Sequence, residues 1–375
     1  MVERAAKGLA DIVAANTAIS NVDSKSGTLS YRGYDIDQLV GRSSFEEVAY
    51  LLQRGSLPGR GDLDGYRAEL TAARGSLGAA VEAVLPVLAG AEPMAALRTL
   101  VSALSADDPD AADGSLGADQ RKAARLVAQL PVLLARYAGV RTGVEVPAPR
   151  ADLGVAGNLL WQLRGTEPDA ELVSILDRYL VLLADHTMNA STFAARVCAA
   201  TLSDLHSAVT AAIGTLKGPL HGGAGEAVLA LLAEVGDAGA AADAVRGRLT
   251  AGERIVGFGH RAYKGVDPRA KHVRAMSQRL AELTGERGQH DLSVALEQAV
   301  AVAGGPPPNV DLYAAAVLRG LGFPTELGAP VLAVARMAGW TAHAMEQHAD
   351  NRLIRPDAAY IGPKRQVWMP IQERI

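Results

Sequence analysis

The chain has 375 residues, of which 49% are hydrophobic and 21% are charged, with a formal net charge of −4. It is long enough for two domains and a large core, and its slight acidity argues against nucleic acid as a main partner. The single cysteine, Cys198, excludes an internal disulfide, and no uncharged apolar run is long enough to span a membrane. Because the N-terminus also lacks the apolar segment of a signal peptide, we expect a cytoplasmic protein without a membrane partner.

Near its start the chain predicts a small β element. Residues 28–34 alternate polar and apolar side chains after Gly27, which is typical of a short hairpin. The pattern then becomes helical, because apolar side chains recur at helical spacing over 45–52. A capping box predicts where this helix begins, with Ser43 or Ser44 as the N-cap and Glu46 or Glu47 as its partner.

The rest of the chain is dominated by helical periodicity, without the regular alternation of strands and helices that a parallel sheet requires. Stretches rich in Gly, Pro or acids predict loops at 105–115 and 143–150 and a break at 304–308. We therefore predict a mainly α fold with one small β element. The predicted helices up to residue 216 span 62–75, 79–89, 93–105, 118–138, 151–163, 168–184, 186–201 and 203–216.

Two histidines lie in stretches that could carry chemistry. His221 precedes the apolar run 227–235, which places it at a helix N-terminus. The helix dipole disfavours a protonated imidazole there, so a neutral His221 could donate a hydrogen bond to a carbonyl oxygen that is becoming an enolate. His186 lies in a predicted helix that is otherwise apolar. Either histidine could instead be structural, at a glycine-rich helix start for His221 and in the core for His186.

The most basic stretch of the chain, residues 254–274, holds six arginines and lysines against one acid, Asp267. A positive field on an acidic protein favours a small anion as ligand. Two glycines before His260 allow close backbone approach, the imidazole can transfer a proton near neutral pH, and Arg269 suits a carboxylate. The Gly-x-Gly outline resembles a dinucleotide fingerprint, which we exclude because Pro268 interrupts the helix that this motif requires. A solvated surface loop is the structural alternative.

Candidates also occur in the last part of the chain. Asn309 fits the N-cap of a helix, which places Asp311 in its first turn, where an acid is also a common structural helix starter. Arg336 lies in an apolar predicted helix, 331–347, where an arginine is not expected to be buried without a partner. The histidines that follow it do not have the spacing of a zinc protease, and the sequence predicts no metal site.

Taken in order, these stretches resemble the citrate synthase family, in particular its short bacterial citrate synthase and 2-methylcitrate synthase branch. The resemblance covers nearly the whole chain. It implies an almost entirely helical fold with a large domain at 1–222 and 324–375, a small domain at 223–323, the active site in the cleft between them, and a homodimer. The motifs that carry it are Leu29-Ser-Tyr-Arg-Gly-Tyr-Asp-Ile, Asp185-His-x-Met-Asn-Ala-Ser-Thr-Phe, Leu220-His-Gly-Gly, Gly257-Phe-Gly-His-Arg, Asp267-Pro-Arg, Asn309-Val-Asp, Gly339-Trp-Thr-Ala-His and Leu353-Ile-Arg-Pro.

The resemblance also implies roles residue by residue. Asp311 matches the base that removes a proton from the acyl-CoA, His221 matches the residue that stabilises the enol or enolate, and His260 matches the residue that polarises the oxaloacetate ketone. Acetyl-CoA or propionyl-CoA is implied as a co-substrate, without a permanently bound cofactor. The residues that match oxaloacetate ligands are His186, Arg269, Arg336 and Arg355, the last reaching in from the partner subunit; those that match the CoA loop are Ile255, Val256, Gly257, Phe258 and Gly259, with Lys264 as a candidate phosphate contact.

The resemblance therefore predicts an enzyme that condenses acetyl-CoA with oxaloacetate and water to citrate and CoA. A 2-methylcitrate synthase that uses propionyl-CoA is the alternative within this class, because one methylene gives only about 1–3 kcal/mol of discrimination. The alternative from another class is a non-catalytic regulator that binds CoA or a dicarboxylate. Such a regulator would need the arginines but not all three catalytic groups. The helices of 104–150 cannot be aligned with the family from the sequence.

Overall fold

The structure is a computed structural model that describes residues 7–9 and 12–374. Within these residues the chain forms 16 α-helices and one three-stranded sheet, which confirms the predicted mainly α fold. The strands are β1 (Ser20–Asp23), β2 (Thr28–Tyr31) and β3 (Tyr34–Asp35). The helices are α1 (Ile36–Leu39), α2 (Phe45–Arg54), α3 (Arg60–Arg74), α4 (Ala79–Val84), α5 (Pro93–Leu104), α6 (Leu116–Thr142), α7 (Val155–Arg164), α8 (Ala170–Leu183), α9 (Ala190–Ala199), α10 (Leu205–Leu216), α11 (Ala224–Val235), α12 (Ala241–Thr250), α13 (Ala270–Thr284), α14 (Gly288–Val302), α15 (Val310–Gly320) and α16 (Gly328–Ala349).

The N-terminal sheet is larger than the predicted hairpin. β2 pairs with β3 as expected, and β1 adds a third antiparallel strand, with Ser20 opposite Tyr31. The next helix, α2, begins at one of the two predicted capping boxes. The Ser44 hydroxyl accepts from the Glu47 amide at 3.3 Å, and the Glu47 carboxylate accepts from the Ser44 amide at 2.8 Å. These reciprocal bonds satisfy two backbone donors that the first turn leaves unpaired.

The core is built around α16, which packs against α2, α5, α6, α8, α9 and α10. Its sequence is rich in Ala and Gly, so neighbouring helices approach its backbone closely. Gly339 is the tightest such point: its amide donates to the Ala184 carbonyl at 3.2 Å, and a Cβ there would lie 2.3 Å from Asp185 Oδ1. Only glycine allows the connection after α8 to lie this close to α16.

A second group of helices packs mainly within itself. α13 contacts α14 and α15, α12 contacts α14, and α11 contacts α15. These helices lie within 223–323, for which the resemblance to the family implies a small domain, and the domain division stays a prediction. No helix in the described part of the chain is long and apolar enough to cross a membrane.

The predicted helices differ from the observed ones at their ends, and two of these differences are notable. α6 is longer than predicted and continues through Pro131, a residue within the segment that could not be aligned. The predicted helix 186–201 is wrong at its start, because α9 begins at Ala190, where the Asn189 side chain caps it. His186 therefore lies in the connection between α8 and α9 and not inside a helix.

Candidate active site

The connection between α8 and α9 holds His186 against the basic loop. Asp185 Oδ2 accepts from the Thr187 amide at 2.9 Å, which closes a tight turn in which Thr187 has a φ of 45°. A threonine in this left-handed region is uncommon and requires such support. His186 is buried, and its Nε2 lies 3.0 Å from the Tyr263 hydroxyl. Burial is the main cause that lowers its pKa, followed by the charges of Arg269 and Arg336.

The glycines before His260 tie the basic loop to the start of α15. Gly257 has a φ of 86° and lies against Leu312, so a side chain there would be both strained and crowded. Its carbonyl accepts from the Asn309 amide at 2.9 Å, while the Asn309 side chain donates to the Gly259 carbonyl at 2.8 Å. These bonds place His260 beside the first turn of α15.

Asp267, to which the sequence assigns no role of its own, holds Arg269 and the first turn of α15 in place. Its Oδ1 accepts from Arg269 Nε at 2.9 Å, and its Oδ2 accepts from Arg269 Nη2 at 2.8 Å. The same Oδ2 accepts from the Val310 amide at 3.1 Å, in the turn that carries Asp311. Asp267 and Arg269 are both buried, so the alternative of a solvated surface loop is wrong for this part of 254–274.

His260 is a neutral ring with a donor facing each of its nitrogens. The Ala262 amide donates to Nδ1 at 2.9 Å, and Arg269 Nη2 lies 3.3 Å from Nε2. Because a neutral imidazole carries one hydrogen, only one of these two contacts can be a hydrogen bond. Burial, followed by the charge of Arg269, lowers the pKa of His260 to about 4. Its ring centroid is 5.2 Å from that of His186 and 4.8 Å from that of Tyr263.

His221 lies just before α11, as the sequence predicts, and is half-buried. Its Nε2 is 2.8 Å from the Ser191 hydroxyl oxygen. That hydroxyl accepts from the Trp340 indole at 3.2 Å and donates to Asn189 Oδ1 at 2.7 Å. Burial, with a smaller effect of Arg336, lowers the pKa of His221 to about 4. The ring is therefore neutral near pH 7, as a hydrogen-bond donor to an enolate must be.

Asp311 lies in the first turn of α15, where the Asn309 side chain caps the helix by accepting from the Asp311 amide at 2.9 Å. Burial raises the pKa of the Asp311 carboxyl, and the nearby charge of Arg269 partly opposes that shift. A carboxylate of raised pKa is a stronger general base than an ordinary one. Asp311 thus combines a fixed position with higher basicity.

Arg336 is buried without the partner that the sequence leads us to expect. Only 6% of the residue is exposed, and neither Nε nor Nη1 hydrogen-bonds to any residue of 7–9 or 12–374. Burial lowers its pKa, which the charge of Asp185 partly offsets. A buried cation without hydrogen-bond partners is costly in the free protein. Its fork is suited to the two oxygens of a carboxylate.

The remaining predicted residues do not join this cluster within one chain. Arg355 is exposed on the extended tail after α16 and pairs with Asp357 at 2.8 Å. Phe258 is buried, whereas Val256 and Lys264 are exposed. Across 7–9 and 12–374, no group of three or more His, Cys, Asp or Glu side chains could hold a metal ion.

Sequence reasoning missed Ser191, Tyr263, Asp267 and Trp340 as individual members of the site. Three of them lie inside quoted motifs, so the signal that could have identified them was their position beside His186, Arg269 and Gly339. Tyr263 had no such signal apart from its place between the loop glycines and Arg269.

Comparison with known proteins identifies the family. The family model described as "Citrate synthase, C-terminal domain" matches residues 8–357. Citrate synthase 2 of Bacillus subtilis is 46% identical over 380 residues, which covers 99% of this chain and 99% of the relative. The 2-methylcitrate synthase of Shewanella oneidensis is 39% identical over 368 residues, which covers 98% of this chain and 97% of the relative.

Solved structures agree with these relatives. The citrate synthase of Pyrobaculum aerophilum has a TM-score of 0.92 and 38% identity, and covers 98% of this chain and 95% of its own. A citrate synthase of Thermoplasma acidophilum, in a ternary complex with carboxymethyl coenzyme A and oxaloacetate, has a TM-score of 0.92 and 29% identity, over 99% of this chain and 100% of its own. On the family match and the end-to-end relatives together, this chain belongs to the citrate synthase family of acyl-CoA-condensing transferases.

Proposed function

We propose that this enzyme condenses acetyl-CoA with oxaloacetate and water to give citrate and CoA, through the residues described above. One observation carries the assignment of the site. Arg336 is buried, and its Nε and Nη1 hydrogen-bond to none of the described residues. It lies in a cluster with a second buried arginine and three neutral histidines. Oxaloacetate is a dianion, and the Thermoplasma relative was solved with oxaloacetate bound.

Oxaloacetate would bind through charge and through fixed donors. Arg336 offers the unpaired Nε and Nη1 to one carboxylate, and Arg269 supplies a second positive charge that Asp267 holds in place. His186, held by Tyr263, would donate to the same ligand. These groups lie close to His260, in which the shorter contact, from the Ala262 amide to Nδ1, would leave the hydrogen on Nε2 to point at the ketone oxygen.

The first chemical step is removal of a proton from the α-carbon of the thioester. Asp311 would accept this proton, helped by its raised pKa. The electron pair moves onto the thioester oxygen, which neutral His221 would stabilise by donating from Nδ1. For that, His221 Nε2 must accept from the Ser191 hydroxyl, whose hydrogen would have to turn from Asn189 Oδ1, its partner at 2.7 Å in the free protein. The product of this step is a bound enol or enolate.

The second step forms the carbon–carbon bond. The enol carbon attacks the ketone of oxaloacetate, and the ketone oxygen takes the proton from His260 Nε2. Water then attacks the thioester carbonyl, the carbon–sulfur bond breaks, and CoA and citrate are released. Closing the cleft during these steps would shield the enol from water.

The CoA would lie along the loop Ile255–Gly259, with Lys264 near its phosphates, between a small domain at 223–323 and the large domain. The exposed position of Val256 and Lys264 leaves both accessible to a ligand from solvent. Because Cys198 is the single cysteine and is free, we also propose a reducing, cytoplasmic location.

We propose a homodimer in which Arg355 completes the oxaloacetate site of the partner subunit. The Arg355 side chain is 75% exposed, on a tail that also exposes Tyr360, Ile361 and Trp368. An apolar, extended tail of this kind is suited to covering a second copy of the chain. Mixed dimers of Asp311→Ala and Arg355→Ala subunits test this arrangement. After random reassortment of equal amounts, about half of the dimers are mixed and each has one intact site, so the population should recover roughly a quarter of wild-type activity; recovery of none would reject the arrangement.

A turnover assay tests the function itself. Free CoA should appear from acetyl-CoA only when oxaloacetate is present, and background release with both acetyl-CoA and propionyl-CoA would reject the enzyme proposal. Similarity to the Shewanella relative makes 2-methylcitrate synthase the second candidate function. The ratio of kcat/KM for the two acyl-CoA substrates distinguishes them. The relatives are named as synthases, which gives a non-catalytic regulator no support.

A further inference from the structure

We infer that His343 is a positioning residue for the oxaloacetate site, acting through Asp185 on the turn that carries His186. This inference rests on the proposed function, because it assumes that His186 binds oxaloacetate. His343 is fully buried on the face of α16 that also presents Arg336 and Gly339. Residues at this helical spacing lie above one another on one face, here the face toward the α8–α9 connection.

The proton position on His343 follows from its two neighbours. Its Nδ1 lies 2.8 Å from Arg196 Nη1, and its Nε2 lies 3.2 Å from Asp185 Oδ2. A guanidinium can only donate, so Nδ1 must accept and the hydrogen of the neutral ring must be on Nε2. His343 therefore donates to Asp185, and a doubly protonated ring would place an N–H against the arginine.

Arg196 is itself fixed, so it imposes this tautomer and does not adapt to it. Its Nη1 also donates to Glu346 Oε2 at 2.7 Å, and its Nε donates to Gln347 Oε1 at 3.3 Å. Both partners lie on α16, one turn beyond His343. The buried Arg196 thus connects α9 to α16 and orients the imidazole between them.

Asp185 transmits this orientation to the site. It is fully buried, and its carboxylate makes its hydrogen bonds through Oδ2, which accepts from His343, from the Thr187 amide and from the Ser20 hydroxyl. Its Oδ1 has no hydrogen-bond partner among the residues that the structure describes. The carboxylate is therefore held from one side only, and loss of a donor there frees it to rotate away from the turn at His186.

The test compares two amides that replace different ring nitrogens. In His343→Gln the amide nitrogen can reach the position of Nε2 and donate to Asp185. In His343→Asn the amide reaches only the position of Nδ1, so Asp185 loses its donor. Both remove the ring, and a purely structural role predicts similar kinetic effects for the two.

We expect His343→Asn to raise the KM for oxaloacetate by about tenfold, the effect of one hydrogen bond to a charged group, with the KM for acetyl-CoA nearly unchanged. His343→Gln should stay within about threefold of wild type. Equal KM values for oxaloacetate in the two variants, or an equal rise in the KM for acetyl-CoA, would overturn the inference. If His343→Asn does not fold, Ser20→Ala removes another donor to the same oxygen, and an unchanged KM for oxaloacetate there would overturn it as well.

Failure of the proposed function can be told apart from failure of this inference. Wild-type turnover of acetyl-CoA with oxaloacetate is measured first, and its absence rejects the function alone. The tautomer is then read without turnover, from long-range ¹H–¹⁵N spectra of histidine-labelled protein, with the His343 signals assigned by their loss in His343→Gln. An Nε2–H neutral ring near pH 7 is expected, and an Nδ1–H or doubly protonated ring overturns the role of His343.

Discussion

Replacing Arg336 with methionine should make the free protein more stable and weaken its binding of oxaloacetate. Methionine keeps much of the side-chain volume and removes the charge. In the free protein, Nε and Nη1 have no partners within the described residues, and burial opposes the charge. Each buried unsatisfied polar group costs about 1–3 kcal/mol, while the attraction to Asp185 recovers part of that cost. We expect the free energy of unfolding of Arg336→Met to exceed that of wild type by about 1–3 kcal/mol.

Thermal unfolding with and without oxaloacetate measures both effects. At about 100 times its Kd, a ligand stabilises the native state by about 2.7 kcal/mol. Loss of hydrogen bonds to a charged group should weaken oxaloacetate binding by about tenfold or more, so the same concentration should stabilise the variant by about 1.4 kcal/mol or less. The Tm without ligand should rise in the variant, and the shift that oxaloacetate produces should shrink.

Arg74→Met is the matched control. Arg74 is also a buried arginine, with only 4% of the residue exposed, but its Nη1 donates to the Leu153 carbonyl at 2.8 Å. Its loss removes that hydrogen bond and leaves the carbonyl with Asn158 Nδ2, at 2.7 Å, as its donor, so the control should lower the Tm without changing the oxaloacetate shift. If Arg336→Met lowered the Tm as Arg74→Met does and kept the full oxaloacetate shift, the reasoning about Arg336 would be wrong.

Three further predictions follow from the same geometry. Asp311→Asn should lower kcat by about 10²–10⁴-fold and leave the calorimetric Kd for oxaloacetate nearly unchanged; a large loss of oxaloacetate binding would contradict its role as a base. Gly339→Ala should lower the Tm and raise the KM for oxaloacetate, because its Cβ would lie 2.3 Å from Asp185 Oδ1; a wild-type Tm would contradict the close contact. His221 and His260 have folded pKa values of about 4 against an ordinary value of 6.5, so the unfolded state binds more protons between these values. Their contribution should therefore lower the Tm as the pH falls from about 7 to about 5. The Tm should fall less steeply in His260→Asn. The raised pKa of Asp311 acts in the opposite direction.

Features set by local sequence were predictable. The capping box at Ser44 and the N-cap at Asn309 each depend on residues within a few positions, and both occur where the sequence predicts them. Helical periodicity likewise identified α16 without information from elsewhere in the chain. The resemblance to the family, and not periodicity, supplied the set of candidate site residues.

Features set by long-range contacts were not predictable in this way. His186 was assigned to a helix because its neighbours are apolar, but Asn189 begins the helix later and Asp185 turns the chain before it. The contact between Asp185 and His343 joins residues far apart in sequence, so no local pattern reveals it. Arg336 was expected to have a partner because a buried charge without one costs free energy. Its Nε and Nη1 have none among the described residues, and a bound anionic ligand would supply one.

The burial and charges that keep His260 neutral also predict how bound oxaloacetate changes its pKa. In the free protein, burial and the charge of Arg269 lower its pKa to about 4, Arg336 adds to this, and only Asp267 opposes it. A bound dianion would cancel the arginine charges, so the pKa of His260 should rise toward its ordinary value and improve the ring as a proton donor. Binding should then take up protons between these pKa values and tighten as the pH falls from about 7 to about 6. Calorimetry at about pH 6 in buffers of different ionisation enthalpy measures this uptake, with His260→Asn as control. If binding took up no protons in the wild type, or as many in the variant, the arginines would not be setting the protonation of His260.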